Sequence, residues 1–469
     1  MKIKLHNSLS RSDEEFTPIT PGEVKMYSCG PTVYNFAHIG NFRAYMVSDL
    51  LHRTLLLAGY KVTLIMNLTD IDDKTIRSAR AEKLPLTLFT EKYKKAFFED
   101  IAALRIKPAS VYPSATDHIP EMISIIQRLT ERGHTYAADG SIYFRLSSFP
   151  NYGRLANLEH DVLKAGASGR VAADEYEKEN VSDFALWKGY AEADGDVFWE
   201  TPLGKGRPGW HIECSAMSTK YLGDTFDIHT GGIDNKFPHH ENEIAQTECA
   251  TGKKFVHYWL HNEHLIVDGE KMSKSKGNFY TLRDLIAKGY DARAIRYLLI
   301  SSHYRKQLNF SLDGILQSAK ALERMNDVIF RLRAVTAQGS ANDALMAKLA
   351  DARTSFRDNL GNDLNIAGSL GAVFDLIREV NASFSSVTKA DAGSILDFFR
   401  TDVNGILDCL TFKEESAAPE IEALLRERAD ARKAKDFKRS DEIRDKLKAM
   451  GIEIFDTPNG ATWKKVKQP

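Results

Sequence analysis

Apolar residues along the first third of the chain alternate between two periods. Residues 24–27 form a short β-prone run ending at Cys29-Gly30-Pro31, after which Phe42, Met46, Leu50 and Leu57 recur at helical spacing until Gly59 breaks the pattern. Residues 61–68 (KVTLIMNL) are a second, nearly continuous apolar run, as expected of a strand covered on both faces. Strand, helix and strand in this order predict a βαβ unit. Such a unit places ligands beyond the carboxyl ends of its strands, here around residues 29–40 and 69–73. Between 116 and 210 the rhythm is lost: residues 140–146 read as an isolated strand, and 165–196 are polar with no clear period. This predicts an insertion, after which β patterns resume at 225–229 and 256–260. From Leu312 onward Ile315, Ala319, Leu322, Met325, Ile329 and Leu332 repeat at three-to-four spacing, and similar patterns continue to Leu410. A break near 416–419 precedes charged helices, a stop at Gly451, alternating Ile452 and Ile454, the turn residues Pro458-Asn459-Gly460, and Trp463.

The expected architecture is therefore α/β. A Rossmann-like domain occupies 1–115 and 211–311, a connective insertion 116–210, an α-helical bundle 312–412 and a small C-terminal unit 413–469. Composition narrows this without changing it. Across 469 residues, 63 Lys+Arg balance 64 Asp+Glu, which excludes a polybasic protein and confines any nucleic-acid contact to local patches. At 43% hydrophobic and 27% charged the chain is that of a folded protein. Four scattered cysteines give no disulfide framework. The N-terminus resembles neither a signal nor a transit peptide, and no run approaches the roughly 18 apolar residues of a membrane span, so a cytoplasmic monomer away from membranes is expected.

Several features bear on chemistry. The letters of residues 204–209 match a dinucleotide loop, but they follow no predicted strand, and Pro208 stands where a helix would start, so the match is set aside. His38-Ile39-Gly40-Asn41 lies between the first strand and first helix, where amide groups bind anions and Gly40 admits a close backbone approach. Lys271-Met272-Ser273-Lys274-Ser275 concentrates lysines and serines on a loop able to grip a triphosphate. Either stretch alone could be a plain polar loop; together they suggest a nucleotide site. Cys29, Cys214, His239 and Glu243 form the third group, with Pro238 suited to a first helical turn and His239 and Glu243 at i and i+4. They offer an S₂NO set suited to zinc, but spacing alone favours two buried thiols beside a solvated helix start. Asp70, Asp72 and Asp73 could hold Mg²⁺ or cap a helix, Trp210 and His211 could line a pocket, and Cys249 and Cys409 read as core.

The HIGN and KMSKS stretches, in this order across an insertion, resemble the two signatures of class I aminoacyl-tRNA synthetases. YSCGPTVYN, NLTDIDDK, GWHIECSAM, GGIDNKFPHHENEIAQ and the terminal GIEIFDTPNGATW are similar to the cysteinyl-tRNA synthetase family over essentially the whole chain. The resemblance implies that Cys29, Cys214, His239 and Glu243 bind one zinc ion, which takes the substrate thiolate and so separates cysteine from serine. It implies that His38, Gly40, Asn41, Lys271, Ser273, Lys274 and Ser275 bind ATP with Mg²⁺, with His38, Lys271 and Lys274 stabilising the leaving pyrophosphate. Thr69, Trp210 and Asp234 match the cysteine pocket. Asn41 departs from the class I pattern, which ends in histidine, so His38 carries more weight. The implied partners are L-cysteine, ATP and tRNA(Cys), with the C-terminal unit reading the anticodon. There, residues 426–448 hold ten Lys/Arg and six Asp/Glu, and Trp463 offers a stacking face. The alternatives are an ATP-dependent ligase joining cysteine to an amino-sugar, and a non-catalytic RNA-binding protein on the same scaffold.

Overall fold

The computed structural model describes residues 1–158, 170–171, 183–412, 419–457 and 460–465; the side chains of Lys274 and of residues 455–465 lie outside what is described. Two compact units emerge, one of residues 1–320 and 354–372, the other of 321–353 and 373–469.

The first unit is organised by a parallel sheet of four described strands, β1 (Glu23–Ser28), β2 (Lys61–Met66), β3 (Phe226–Gly232) and β4 (Val256–Asn262), in the order β4-β3-β1-β2. Registers such as Met26↔Leu64, Ile228↔Met26 and Ile228↔Tyr258 align apolar residues across it, and Met26, Tyr27, Leu64 and Ile228 are fully or nearly fully buried. The chain leaves β1 towards β2 through helix α1 (Ile39–Leu57) and reaches β3, on the other side of β1, only after the insertion. The strand order therefore reverses between β1 and β3, and a crevice opens at their carboxyl ends. The loop starting at Cys29 and Gly232 border it.

Buried guanidinium groups lock α1 in place. Arg296, on helix Ala292–Ile300, donates to Asp49 at 2.6 Å and to the carbonyls of Leu104 and Arg105 at 3.0 and 3.1 Å, while Arg53 donates to the same Asp49 at 2.9 Å. Arg43 donates to the carbonyls of Leu299, Ser302 and His303. Removing one partner of such a buried pair costs about 3–5 kcal/mol, so this clamp fixes where the N-terminus of α1 points.

The stretch expected as an isolated strand is instead one arm of a hairpin. Thr135–Ala138 and Ser141–Phe144 pair antiparallel and continue into Asp183–Gly189, Gly204–Pro208 and Trp199–Thr201. Sequence missed the sheet because its strands are short and its middle is polar. Residues 204–208, the discarded dinucleotide match, are a strand of this sheet. Phe144, Phe184 and Trp187 pack in one core with Ile212 and Cys214 of the helix Trp210–Leu222, so the insertion buttresses the crevice. Helix α2 (Asp73–Glu82) is capped by Asp72, whose side chain accepts from Thr75; Asp73 pairs with Lys188 at 3.1 Å and with Arg207. Asp70 accepts from Lys94 at 2.8 Å and from the Thr116 amide and hydroxyl.

The second unit is helical along 321–333, Asp343–Gly361 in part, 373–382 and Lys389–Phe398. Towards its end, helices Pro419–Lys433 and Phe437–Ala449 close on Leu424, Ile443, Leu447 and Ile452, and a hairpin pairs Ile452 with Lys465. The turn residues 458–459 and the Trp463 side chain lie outside the described residues. No helix among the described residues is long and apolar enough to cross a membrane.

Candidate active site

A cavity of about 770 Å³ lies at the strand-order reversal. Cys29, His38, Gly40, Asn41, Thr69, Trp210, Cys214, Asp234, His239 and Lys271 all border it. Segments more than 200 residues apart in sequence thus meet around one space, and Met272 joins them.

His38 is the N-cap of α1. Its Nδ1 accepts from the Asn41 amide at 3.2 Å, and Asn41 Oδ1 accepts the His38 amide at 3.1 Å, a reciprocal capping box. Asn41 is thereby engaged in holding the helix entrance. With Nδ1 an acceptor, the neutral ring carries its proton on Nε2 and offers a donor. Burial lowers the His38 pKa from its ordinary 6.5, against the pull of nearby Asp234, so this neutral form persists at neutral pH. Gly40 is required beside it, because a Cβ there would sit 2.9 Å from the imidazole. The segment after the lysine loop ties directly to this motif: Ile39 N–H donates to Tyr280 O at 3.0 Å, and Phe279 meets the His38 ring edge-on at 5.4 Å. Within the loop Asn278 accepts from the Ser273 amide at 2.8 Å and Ser273 and Ser275 hydroxyls lie 2.8 Å apart.

Cys29, Cys214 and His239 border the cavity, and the fully buried Glu243 completes the S₂NO set. One donor atom from each of Cys29, Cys214, His239 and Glu243 lies within 4.8 Å of every other. His239 Nε2 is 3.1 Å from Glu243 Oε1. The helix containing Glu243, α4, runs from Glu241 to Thr251, so His239 precedes it, on an irregular wide turn where Phe237 is extended. The i, i+4 pairing survives this correction. Cys214 is on α3 (Trp210–Leu222), whose residues 211–218 are all buried. Burial raises the Cys29 and Cys214 thiols, and each other's proximity and Glu243 raise Cys214 further. Burial opposes a charge on His239, but Cys214 and Glu243 outweigh it and raise its pKa. Two thiols and a carboxylate crowded out of water form a site that a divalent cation would relieve.

A second group, Cys29, His229, His240 and Glu243, also converges. Its histidines face members of the first set: His229 Nε2 meets Glu243 Oε2 at 3.0 Å and His240 Nε2 meets Cys29 Sγ at 3.3 Å, while His240 Nδ1 meets His261 Nε2 at 2.8 Å and His261 Nδ1 meets Ser8 at 2.8 Å. His211 Nδ1 faces His239 Nδ1 at 2.9 Å, and Trp210 stacks on His239 at 4.3 Å. These rings orient the four donors, as partners of metal ligands commonly do. Sequence reading missed His229, His240, His261, Asn67 and Glu213. The available signal was polar residues at positions where strand or helix pattern calls for apolar ones.

Gly30 sets the position of Cys29. Its amide donates to Asn67 Oδ1 at 2.9 Å, and a Cβ would fall 1.8 Å from the Asn67 carbonyl oxygen. Gly30→Ala is expected to destabilise by more than about 3 kcal/mol, beyond ordinary overpacking, and to lower bound metal, read by thermal melting and metal analysis.

This crevice and its two signature motifs define a class I aminoacyl-tRNA synthetase. Residues 15–320 match the family model described as the tRNA synthetases class I (C) catalytic domain, and 415–463 match the cysteinyl-tRNA ligase anticodon binding domain. The chain belongs to the cysteine–tRNA ligase family. It is 59% identical to the cysteine–tRNA ligase of Brachyspira hyodysenteriae over 99% of both chains, and 48% identical to that of Protochlamydia amoebophila over 99% of this chain and 98% of the other. Among solved structures it resembles Mycobacterium tuberculosis methionyl-tRNA synthetase in complex with methionyl-adenylate (TM-score 0.58, 15% identity, 82% of this chain and 89% of that one). It also resembles LeuRS of Agrobacterium radiobacter (TM-score 0.60, 12% identity, 84% and 85%). At such identities these structures speak to the fold alone.

Proposed function

We propose that this chain activates L-cysteine with ATP to cysteinyl-adenylate, releasing pyrophosphate, and transfers the cysteinyl group to the 3′-terminal ribose of tRNA(Cys), with one zinc ion on Cys29, Cys214, His239 and Glu243. The observation that carries this is that Cys29, Cys214 and His239 meet His38 and Lys271 around one cavity, with Glu243 converging on the same three donors. The set is chemically apt, since two sulfurs, an imidazole and a carboxylate suit zinc. When bound, the metal supplies a soft Lewis acid that lowers a thiol's pKa and discriminates sulfur from oxygen.

The chain's own residues do the rest. His38 offers its Nε2 proton to phosphate oxygens at the amino end of α1, where backbone amides add to the positive potential. Lys271 and Lys274 neutralise charge on the leaving pyrophosphate of the Mg²⁺ complex of ATP, with Ser273, Ser275, Gly40 and Asn41 shaping the phosphate path. Thr69, Trp210 and Asp234 fix the amino acid so that its carboxylate meets the α-phosphate in line, a contribution of positioning. The C-terminal unit brings tRNA through its basic helices, and association falls with salt.

Zinc-replete protein is expected to catalyse cysteine-dependent ATP–pyrophosphate exchange and to charge tRNA(Cys). Absence of exchange would remove the enzyme reading. Exchange without charging, together with ligation of cysteine to an amino-sugar, would replace tRNA by that acceptor.

A further inference from the structure

Beneath the cavity runs a buried hydrogen-bond relay whose directions follow from the Gly30 amide at one end and from Glu213 as a carboxylate, an acceptor only, at the other. Gly30 N–H donates to Asn67 Oδ1 at 2.9 Å, which settles how the Asn67 amide faces. Asn67 Nδ2 then donates to Thr69 Oγ at 3.1 Å, and the Thr69 hydroxyl donates to Glu213 Oε2 at 3.0 Å. Asn67, Thr69 and Glu213 are 2%, 2% and 1% exposed. The Thr69 backbone is also committed, its amide to Pro31 O and its carbonyl to Val33 N–H, both at 3.0 Å.

A hydroxyl has one proton and two lone pairs. At Thr69 the proton goes to Glu213 and one lone pair takes the Asn67 amide. What Thr69 can still offer the cavity it borders is an acceptor. A primary ammonium is a pure donor. We propose that Glu213 is a positioning residue that holds the Thr69 hydroxyl as an acceptor for the α-ammonium group of the amino-acid substrate. This deepens, and rests on, the reading of the cavity as a cysteine-activating site. Glu213 does not border the cavity; it acts through Thr69, and its carboxylate keeps the hydroxyl proton turned away from the substrate.

The test uses the full-length, metal-loaded protein in cysteine-dependent ATP–pyrophosphate exchange, with 3-mercaptopropionate as competitor, because it keeps the thiol and carboxylate and lacks the amine. In Glu213→Gln the carboxamide can present its NH₂ to Thr69, which then turns its own proton toward the cavity. The KM for cysteine is expected to rise about 10- to 100-fold, with kcat and the Ki of 3-mercaptopropionate changed less than about threefold. Thr69→Val should give the same split, Thr69→Ser should restore it, and Glu213→Gln added to Thr69→Val should cost little more. Equal weakening of both ligands, or additive effects in the double variant, would overturn the proposal in favour of a purely structural Glu213. Should Glu213→Gln not fold, the valine and serine variants decide alone, since valine raising KM and Ki alike overturns it. A wild type without cysteine-dependent exchange would instead refute the underlying reading.

Discussion

Cys214→Ser is expected to strip the site of its metal and, with it, of its preference for cysteine over serine. Changing a residue that merely hydrogen-bonds to a ligand costs about 10- to 100-fold in metal affinity, so removing a ligand outright should exceed about 100-fold. Serine's hydroxyl is a hard donor that stays protonated, whereas the Cys214 sulfur becomes an anion once a cation offsets the burial that otherwise keeps it neutral. The substitution is nearly isosteric, and Cys214 sits at 2% exposure among Ile212, Ala216 and Met217, so the helix should remain packed. Without a thiophilic centre, shape alone must separate two near-isosteres, and such pockets reach only about 100-fold discrimination. Metal analysis, melting temperature and exchange driven by cysteine against serine would check this. A Cys214→Ser protein retaining both metal and discrimination would show that Cys29, His239 and Glu243 suffice.

How much of this was legible beforehand depended on whether a signal was local. The βαβ start was, because a buried parallel strand writes a continuous apolar run and its helix a three-to-four repeat; the strands Glu23–Ser28 and Lys61–Met66 lie where residues 24–27 and 61–68 placed them. The sheet of the insertion was not, since its pairing joins short strands separated by polar sequence, and Phe184 and Trp187 reveal their burial only against Ile212. In the site, residues that carry chemistry by type were found: two thiols, a histidine and a glutamate at helical spacing, and a lysine-rich loop. The groups that orient them were not, because the one local sign of Asn67, Glu213 or His261, a polar residue at an apolar position, does not say what it contacts. Their meaning comes from contacts such as Asn67 to Gly30 across 37 residues and His261 to Ser8 across 253. Asp72 shows the reverse, a candidate metal ligand whose neighbour Thr75 reveals a helix cap.

His38 is where capping and catalysis share one ring, and the two can be separated by substitution. In His38→Asn the new side chain is itself a strong N-cap, able to accept the Asn41 amide as Nδ1 now does, so α1 should stay intact and the melting temperature nearly unchanged. The donor carried on Nε2, farther from the backbone, is lost. Since removing one preorganised donor to developing charge costs about 100- to 1000-fold in kcat, exchange should fall by that factor while the KM for cysteine holds. His38→Ala removes cap and donor together and adds about 1 kcal/mol of destabilisation, so a lower melting point confined to the alanine variant assigns the two roles. The pH profile supplies the sign. Because burial pulls the His38 pKa below 6.5, the ring is mostly neutral above that value and its titration midpoint lies beneath it. Any acid limb of wild-type exchange attributable to His38 should therefore be centred below pH 6.5. A wild-type acid limb centred above 6.5 that disappears in His38→Asn would mean that the imidazolium, rather than the neutral ring, does the work.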